Sequence, residues 1–189
     1  MALQLERQRL ELFNTCRIES LASTSNLILQ KRCVKNIPMK SKPSHASDRR
    51  AESRVRVRYA ETDQMGVAYY ANYLVWFEVG RSQYCNDCGF SYREMERETG
   101  LFLIVAEAHC RYRTPARYED DLIIHTRVTE FTRRTIRFSY EIERADGAAV
   151  AIGETLHVLI NSKGRASSFP EKYLLLLGKE NGPADLSQR

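Results

Sequence analysis

The chain has 189 residues, 43% of them apolar and 28% charged, which is ordinary for a globular protein. The longest unbroken apolar run covers residues 101–106, far too short for a helix that crosses a membrane. The charged residues from Glu6 onward are untypical of a secretory signal peptide, so none is expected. Five cysteines without an export signal predict reduced thiols in a cytosolic protein.

The net charge of +5 is unevenly distributed along the chain. Residues 1–50 carry ten Lys and Arg against four Asp and Glu, whereas residues 51–189 carry 19 against 20. The basic character therefore belongs to an N-terminal extension. A basic, Ser-rich arm is more often a solvated tail than a binding arm, so no nucleic-acid partner is predicted. Nucleic-acid binding by this arm remains an alternative, which would show steep salt dependence.

Three segments are predicted from these patterns: a disordered extension (1–50), one domain (51–180) and a flexible tail (181–189). The extension has no sustained hydrophobic period, and it has too little apolar surface to offset the conformational entropy lost on ordering. Translation from Met39 and an N-terminal transit peptide remain alternative interpretations of the extension.

The first half of the domain predicts a strand, a loop and a long helix. Residues 54–59 alternate, with Val55, Val57 and Tyr59 on one face, which is typical of a half-buried strand. Residues 71–88 are apolar nearly all round, so this helix should be buried on most sides. Gly80 inside it predicts a close backbone contact, because glycine otherwise weakens a helix.

The second half predicts a short helix and then strands. Ser91 and Glu94 form a capping motif for a helix that ends near Gly100. Strands are expected at residues 102–112, 122–130, 135–143 and 149–160, with a bulge at Gly153. Pro170 should open a terminal helix. On the first of these strands one face should hold Ile104, Ala106, Ala108, Cys110 and Tyr112.

Short connections between these strands predict an antiparallel sheet. With one helix that is apolar all round, the arrangement is an α+β fold whose sheet curls around that helix. Val105, Ile123 and Leu159 are assigned to the outer face, so the sheet is expected to pack against another copy.

Asp63 and Tyr70 flank a loop that leads into the long helix. Unpaired N–H groups at a helix start suit a carbonyl that becomes an oxyanion, and a nearby carboxylate can attack it or deprotonate water. Acyl transfer would fit this pattern. From the residues alone, however, an Asp before a helix is more often a turn former or a cap.

Residues 59–81 resemble the motif of the 4-hydroxybenzoyl-CoA thioesterase family, single-domain hotdog acyl-CoA thioesterases that include Tol–Pal-associated bacterial enzymes. The shared residues are Thr62, Asp63, Gly66, Val67, Ala68, Asn72, Tyr73, Glu78 and Arg81. The likeness extends over roughly residues 53–178 and leaves the N-terminal extension unmatched.

This resemblance implies a hotdog fold, a homodimer or homotetramer with sites between subunits, and hydrolysis of acyl-CoA without a metal or redox cofactor. It implies that Asp63 is the nucleophile or general base, and that the backbone N–H at Tyr70 polarises the thioester carbonyl. Many bacterial members carry His where this chain has Tyr70, which leaves the subfamily open. Gly66 and Val67 would contact substrate, and Arg133 and Arg134 would meet the CoA phosphates.

Other functions remain open or are disfavoured. An acyl-carrier-protein thioesterase and a non-catalytic acyl-CoA-binding module are the alternatives, and the acyl group is not specified by the sequence. For Arg133 and Arg134, a solvated hairpin end is an equally good interpretation. Cys85 and Cys88 form a lone CxxC without further ligands, which disfavours a zinc site. His109, His125 and His157 have no metal-ligand spacing.

Overall fold

The computed structural model describes residues 49–178. The predicted disordered extension, up to residue 48, and the predicted tail (181–189) lie outside the described residues. The elements in chain order are β1 (Arg50–Arg56), a 3-10 turn (Tyr59–Glu61), α1 (Asn72–Asp87), α2 (Tyr92–Thr99), β2 (Leu101–Tyr112), β3 (Asp121–Phe131), β4 (Thr135–Arg144), β5 (Ala149–Asn161) and α3 (Glu171–Gly178).

The five strands form one antiparallel sheet in the order β1-β3-β4-β5-β2. The chain runs through β3, β4 and β5 by successive hairpins, while β1 and β2 form the two edges. α1 contacts β1, β2, β3 and β4, and Phe77 of α1 lies against Gly153 of β5. The predicted α+β fold, a sheet around one long helix, is confirmed.

Gly80 is the point of closest approach between α1 and the sheet. A Cβ added at Gly80 would collide with Thr126 Oγ1 and lie 3.0 Å from Ile124 Cγ2, both on β3. The predicted close contact is therefore present. One expectation for α1 was wrong: Leu74, Val75 and Val79 remain exposed, because only one side of the helix faces the sheet of its own chain.

The core alternation of β4 agrees with its sequence pattern. Its inward-facing residues are all buried: Ile136, Phe138, Tyr140 and Ile142. Phe77 stacks on Tyr140 with 4.3 Å between ring centroids. The predicted bulge at Gly153 is absent, since Gly153 pairs in register with Cys110 and Tyr140. Instead the ring of Phe77 occupies the space that a Cβ at Gly153 would need.

The predicted face of β2 was wrong in its first half. A register shift between Val105 and Glu107 interrupts the alternation. Ile104 and Ala106 therefore pack in a small separate cluster with Val158 and Ile160, whereas Cys110 packs against the main core. A bulge of this kind moves the residues before it to the opposite face of the sheet.

Two further assignments of faces were wrong. Leu159, expected to face outward, is fully buried in the main core. Tyr59, expected to face inward on the first strand, is 77% exposed because β1 ends at Arg56 and Tyr59 begins the 3-10 turn.

The two short helices begin as predicted. Ser91 Oγ accepts a hydrogen bond from the Glu94 N–H, and α2 ends at Thr99, followed by Gly100 in the left-handed conformation as its C-cap. Pro170 immediately precedes α3. Within residues 49–178, no helix is long and apolar enough to cross a membrane.

Candidate active site

Asp63 lies at the start of a tight turn. Its carbonyl accepts a hydrogen bond from the Gly66 N–H (2.9 Å), and its Oδ1 accepts one from the Met65 N–H (2.8 Å). Gly66 has φ +71°, a conformation in which a side chain would be strained. The turn thus occupies one carboxylate oxygen of a half-buried Asp63. Oδ2 receives no hydrogen bond from the described residues.

Backbone pairing folds residues 61–69, which include Asp63, into a narrow ribbon. The Asp63 N–H donates to the Val67 carbonyl (2.9 Å), and Thr62 bridges to Ala68. The Tyr69 N–H then donates to the Glu61 carbonyl (2.8 Å). This ribbon ends at the first turn of α1, so the Asp63 loop and the helix start form one continuous unit.

The start of α1 presents free backbone donors. Among the described residues, the N–H groups of Tyr70 and Ala71 have no acceptor, whereas the Asn72 N–H donates to the Tyr69 carbonyl. Tyr70 is 60% exposed, and its amide directly follows the Tyr69 N–H, which pairs with the Glu61 carbonyl in the same ribbon. Asp63 and Tyr70 are not hydrogen-bonded to each other. Together they offer a carboxylate oxygen and an N–H group at the positive end of a helix.

Neighbouring tyrosines fix the backbone of this region. The Tyr112 hydroxyl donates to the Tyr70 carbonyl (3.1 Å). The Tyr73 hydroxyl accepts from the Ala116 N–H (3.3 Å). The Ala116 carbonyl in turn accepts from the Ala68 N–H (2.8 Å). The segment after β2 therefore supports both the ribbon and the helix start.

Glu61 is a buried carboxylate that the sequence analysis missed. Its side chain accepts hydrogen bonds from the Arg58 N–H (2.8 Å), the Arg58 guanidinium (2.9 Å) and the Trp76 indole N–H (3.4 Å). Burial raises the pKa of Glu61, but the hydrogen bonds from Arg58 and Trp76 outweigh it, so the pKa lies below its ordinary value. Its position two residues before Asp63 was the available signal.

Three exposed tyrosines lie at the start of α1, since Tyr69 contacts Tyr70 and the Tyr112 hydroxyl contacts the Tyr70 carbonyl, while two further exposed tyrosines, Tyr59 and Tyr118, contact each other edge to face. A groove of about 350 Å³ opens alongside, between β1 and the exposed side of α1. It is lined by apolar residues (Val55, Val75, Trp76 and Val79) and by charged residues (Arg56, Arg58 and Glu61). Such a groove could hold an apolar group near the candidate site.

Arg133 and Arg134 occupy the tight turn between β3 and β4, with exposed side chains. Their carbonyls accept hydrogen bonds from the N–H groups of Phe169 and Leu159, respectively. Within residues 49–178 these contacts do not connect the pair to the Asp63 loop. The Asp63 loop follows β1, whose last residue Arg56 pairs with Asp121 at the start of β3, whereas Arg133 and Arg134 follow the other end of β3, so one chain places the two parts of the predicted site in separate regions.

The remaining candidates are structural. Cys85 and Cys88 are buried free thiols, and burial raises the pKa of Cys85 to about 12. His157 is buried with its Nε2 2.8 Å from Thr155 Oγ1. His125 pairs with Glu143 across neighbouring strands at 3.0 Å. Each of these side chains is accounted for by packing or by a sheet contact.

Comparisons with known proteins identify the family. Residues 57–177 match the family model of the thioesterase-like superfamily. The acyl-CoA thioester hydrolase YbgC of Escherichia coli O6:H1 is 31% identical over 107 residues, covering 57% of this chain and 79% of the relative.

Solved structures agree as well. The DHNA-CoA thioesterase of Staphylococcus aureus gives a TM-score of 0.64 at 31% identity, covering 67% of this chain and 90% of that chain. The 4-hydroxybenzoyl CoA thioesterase of Pseudomonas sp. strain CBS-3 gives a TM-score of 0.63 at 23% identity, covering 68% of this chain and 99% of that chain. This likeness shows the fold alone. The family match and these relatives confirm the prediction of a thioester hydrolase. The chain belongs to the thioesterase-like superfamily and has its hotdog fold.

Proposed function

We propose that this chain is an acyl-CoA thioesterase in which Asp63 and the backbone N–H of Tyr70 act on the thioester. The observation that carries the proposal is the free N–H of Tyr70 at the start of α1, on the ribbon that also bears Asp63. A helix start with unpaired donors stabilises negative charge on a carbonyl oxygen. Asp63 supplies the carboxylate that the hydrolysis needs.

In this mechanism the Tyr70 N–H binds the thioester oxygen. Acting as general base, Asp63 takes a proton from water while the water oxygen attacks the carbonyl carbon. The carbon–sulfur bond then breaks and CoA leaves as a thiolate. Acting as nucleophile, Asp63 would instead form an anhydride that water later hydrolyses. A thiol has a pKa of about 8.5, so the leaving group needs no strong general acid.

Substrate contacts follow from the surroundings of the loop. We infer that Gly66 and Val67 approach the thioester, because they form the turn that carries Asp63. The groove of about 350 Å³ beside α1 would accept the acyl group. Arg133 and Arg134 would bind CoA phosphates as two exposed adjacent cations.

We further propose a homo-oligomer, either a dimer or a tetramer. Leu74, Val75 and Val79 leave an exposed apolar side on α1, and β2 is a twelve-residue strand whose outer edge has no strand partner among the described residues. Both features favour association with a second copy. In a site shared between two copies, the Arg133–Arg134 pair of one copy would lie near the Asp63 loop of the other copy. Within one chain the pair and this loop lie apart. Light scattering during gel filtration measures the state directly.

The test is thiol release from a panel of aliphatic and aromatic acyl-CoA esters. Asp63→Asn should lose at least about a hundredfold in kcat. Asp146→Asn is the matched control, since Asp146 Oδ1 also accepts a hydrogen bond from the N–H two residues later, in the β4–β5 turn. If kcat falls equally in both variants, or does not fall in Asp63→Asn, then Asp63 only forms the turn and takes no part in catalysis.

Two other outcomes would redirect the assignment. Faster turnover of acyl-carrier-protein thioesters than of CoA esters would make the chain a carrier-protein thioesterase. Thermal stabilisation by CoA without hydrolysis of any ester would favour a binding module. The cytosolic location stays a prediction from the sequence.

A further inference from the structure

Among the described residues, Glu61 is the one buried carboxylate, with 5% of its surface exposed. Removing a carboxylate from water is costly unless hydrogen bonds replace its hydration. Three donors do so here, from Arg58 and Trp76. The bond from the Arg58 N–H closes the 3-10 turn as a capping box, while the bonds from the Arg58 guanidinium and Trp76 connect the carboxylate to residues before and after the Asp63 loop.

The backbone of Glu61 makes a second set of contacts. Its carbonyl accepts hydrogen bonds from the Tyr69 N–H (2.8 Å) and from Asn72 Nδ2 (2.7 Å). Tyr69 directly precedes Tyr70, and Asn72 is the first residue of α1. Through its backbone, Glu61 is therefore attached to the residues on both sides of the Tyr70–Ala71 amides.

The side chain extends this attachment along the helix. Trp76 lies one turn further into α1 and is itself buried. Arg58 precedes the 3-10 turn that leads into the Asp63 loop. One residue thus joins the chain before the loop, the helix start after it and the body of the helix.

We propose that Glu61 is a positioning residue, assisted by Asn72, which sets the Asp63 loop and the Tyr70 amide in the relative position that catalysis needs. The inference rests on the proposed function of those two groups. A displacement of about 1 Å at a reacting group can cost about a hundredfold in rate. Positioning therefore acts on kcat, whereas a contribution to folding alone acts on the fraction of folded protein.

Glu61→Gln is the sharpest variant. The amide keeps the shape of the carboxylate, but its NH2 group meets N–H donors from Arg58 or Trp76 and cannot accept from them. We expect kcat to fall about 10- to 100-fold while KM changes less than about threefold, at a temperature well below the unfolding midpoint. Asn72→Ala removes only the side-chain bond to the Glu61 carbonyl and should lower kcat about 3- to 10-fold.

Glu141→Gln is the matched control. Glu141 also has arginine partners, Arg50 at 3.4 Å and Arg127 at 3.4 Å, but it lies on the other face of the sheet. The kcat of the Glu141→Gln variant should equal that of the wild type. In the double variant of Glu61 and Asn72, kcat should fall by less than the product of the single effects, because both residues hold one geometry. Unchanged kcat in folded Glu61→Gln protein would overturn the proposal.

A readout independent of turnover separates this proposal from the proposed function. Trp76 is the chain's single tryptophan, so its indole N–H gives one NMR signal, which should shift in Glu61→Gln. Amide hydrogen exchange should quicken at Tyr69 and across residues 62–68, while the middle of α1 keeps its protection. If the wild type cleaves no ester, the proposed function fails. Unchanged exchange in the loop would overturn the positioning role in either case.

Discussion

Gly80→Ala tests how closely α1 approaches the sheet. In an exposed helix this change would stabilise the protein by about 1 kcal/mol. Here the new methyl group collides with Thr126 Oγ1 and crowds Ile124. Both neighbours are fully buried β-branched residues of β3, so neither can move aside easily. Overpacking of this kind costs about 1–3 kcal/mol, and two such neighbours place the expected cost near the upper end.

The net effect should be a loss of about 2 kcal/mol, equivalent to a fall in Tm of roughly 5–10 °C for a domain of this size. Urea unfolding followed by circular dichroism, at equal protein concentrations, measures it. Thr126→Ala should relieve the collision, because it removes the colliding Oγ1 atom. This removal breaks no hydrogen bond, since Thr126 Oγ1 has no partner within the described part of the chain. The double variant should be less destabilised than the sum of the single effects. A higher Tm for Gly80→Ala would refute the close approach.

Three further changes have defined outcomes. Burial lowers the pKa of His157 to about 3, so below pH 6.5 the unfolded chain gains a proton that the folded chain does not, and stability falls by about 1.4 kcal/mol per pH unit. His157→Phe should flatten this slope in urea unfolding between pH 6.5 and 4.5, and an unchanged slope would contradict the assignment. Ser91→Ala should cost about 1 kcal/mol by removing the α2 cap, whereas Ser162→Ala, in the turn after β5, should cost less than about 0.5 kcal/mol in the same unfolding assay. Replacing Arg133 and Arg134 with Gln should raise KM for CoA esters about tenfold but leave KM unchanged for pantetheine esters, which lack the nucleotide phosphates, and an equal rise for both would argue against phosphate binding.

Local patterns predicted the elements well where one period extended through a whole segment. The alternation of residues 135–143 gives the inward side of β4 correctly, and α1 begins and ends within one residue of its predicted limits. The cap at Ser91 and the contact at Gly80 were also predicted, because each follows from the chemistry of one residue type.

The failures arose where tertiary packing decides. A single extra residue in β2 places Ile104 on the face opposite to the predicted one, and no periodicity contains that slip. Gly153 suggested a bulge, but its missing Cβ accommodates the ring of Phe77 from the helix. Gly80 and Gly153 are both required by the close approach of α1 to the sheet. Only Gly80 could be recognised from the sequence, because a glycine is unusual inside a helix.

The candidate site was predicted only in part. Asp63 and Tyr70 were identified through their motif, and the structure adds the turn and the free amides around them. Glu61 was missed because a lone acid next to an arginine-rich strand is usually solvated. Only the fold brings Trp76 over it and closes it from water.

The strand order also has a consequence for how the chain folds. Within residues 49–178, β2 pairs with β5 alone among the strands, across two intervening strands in the sequence, whereas β3, β4 and β5 join through adjacent hairpins. The hairpins can form as soon as they leave the ribosome, but β1, α1 and β2 emerge earlier and must wait for them. Such non-local pairing slows folding and leaves apolar surface exposed in the interval. We therefore expect the nascent chain to depend on chaperones until β5 has been synthesised.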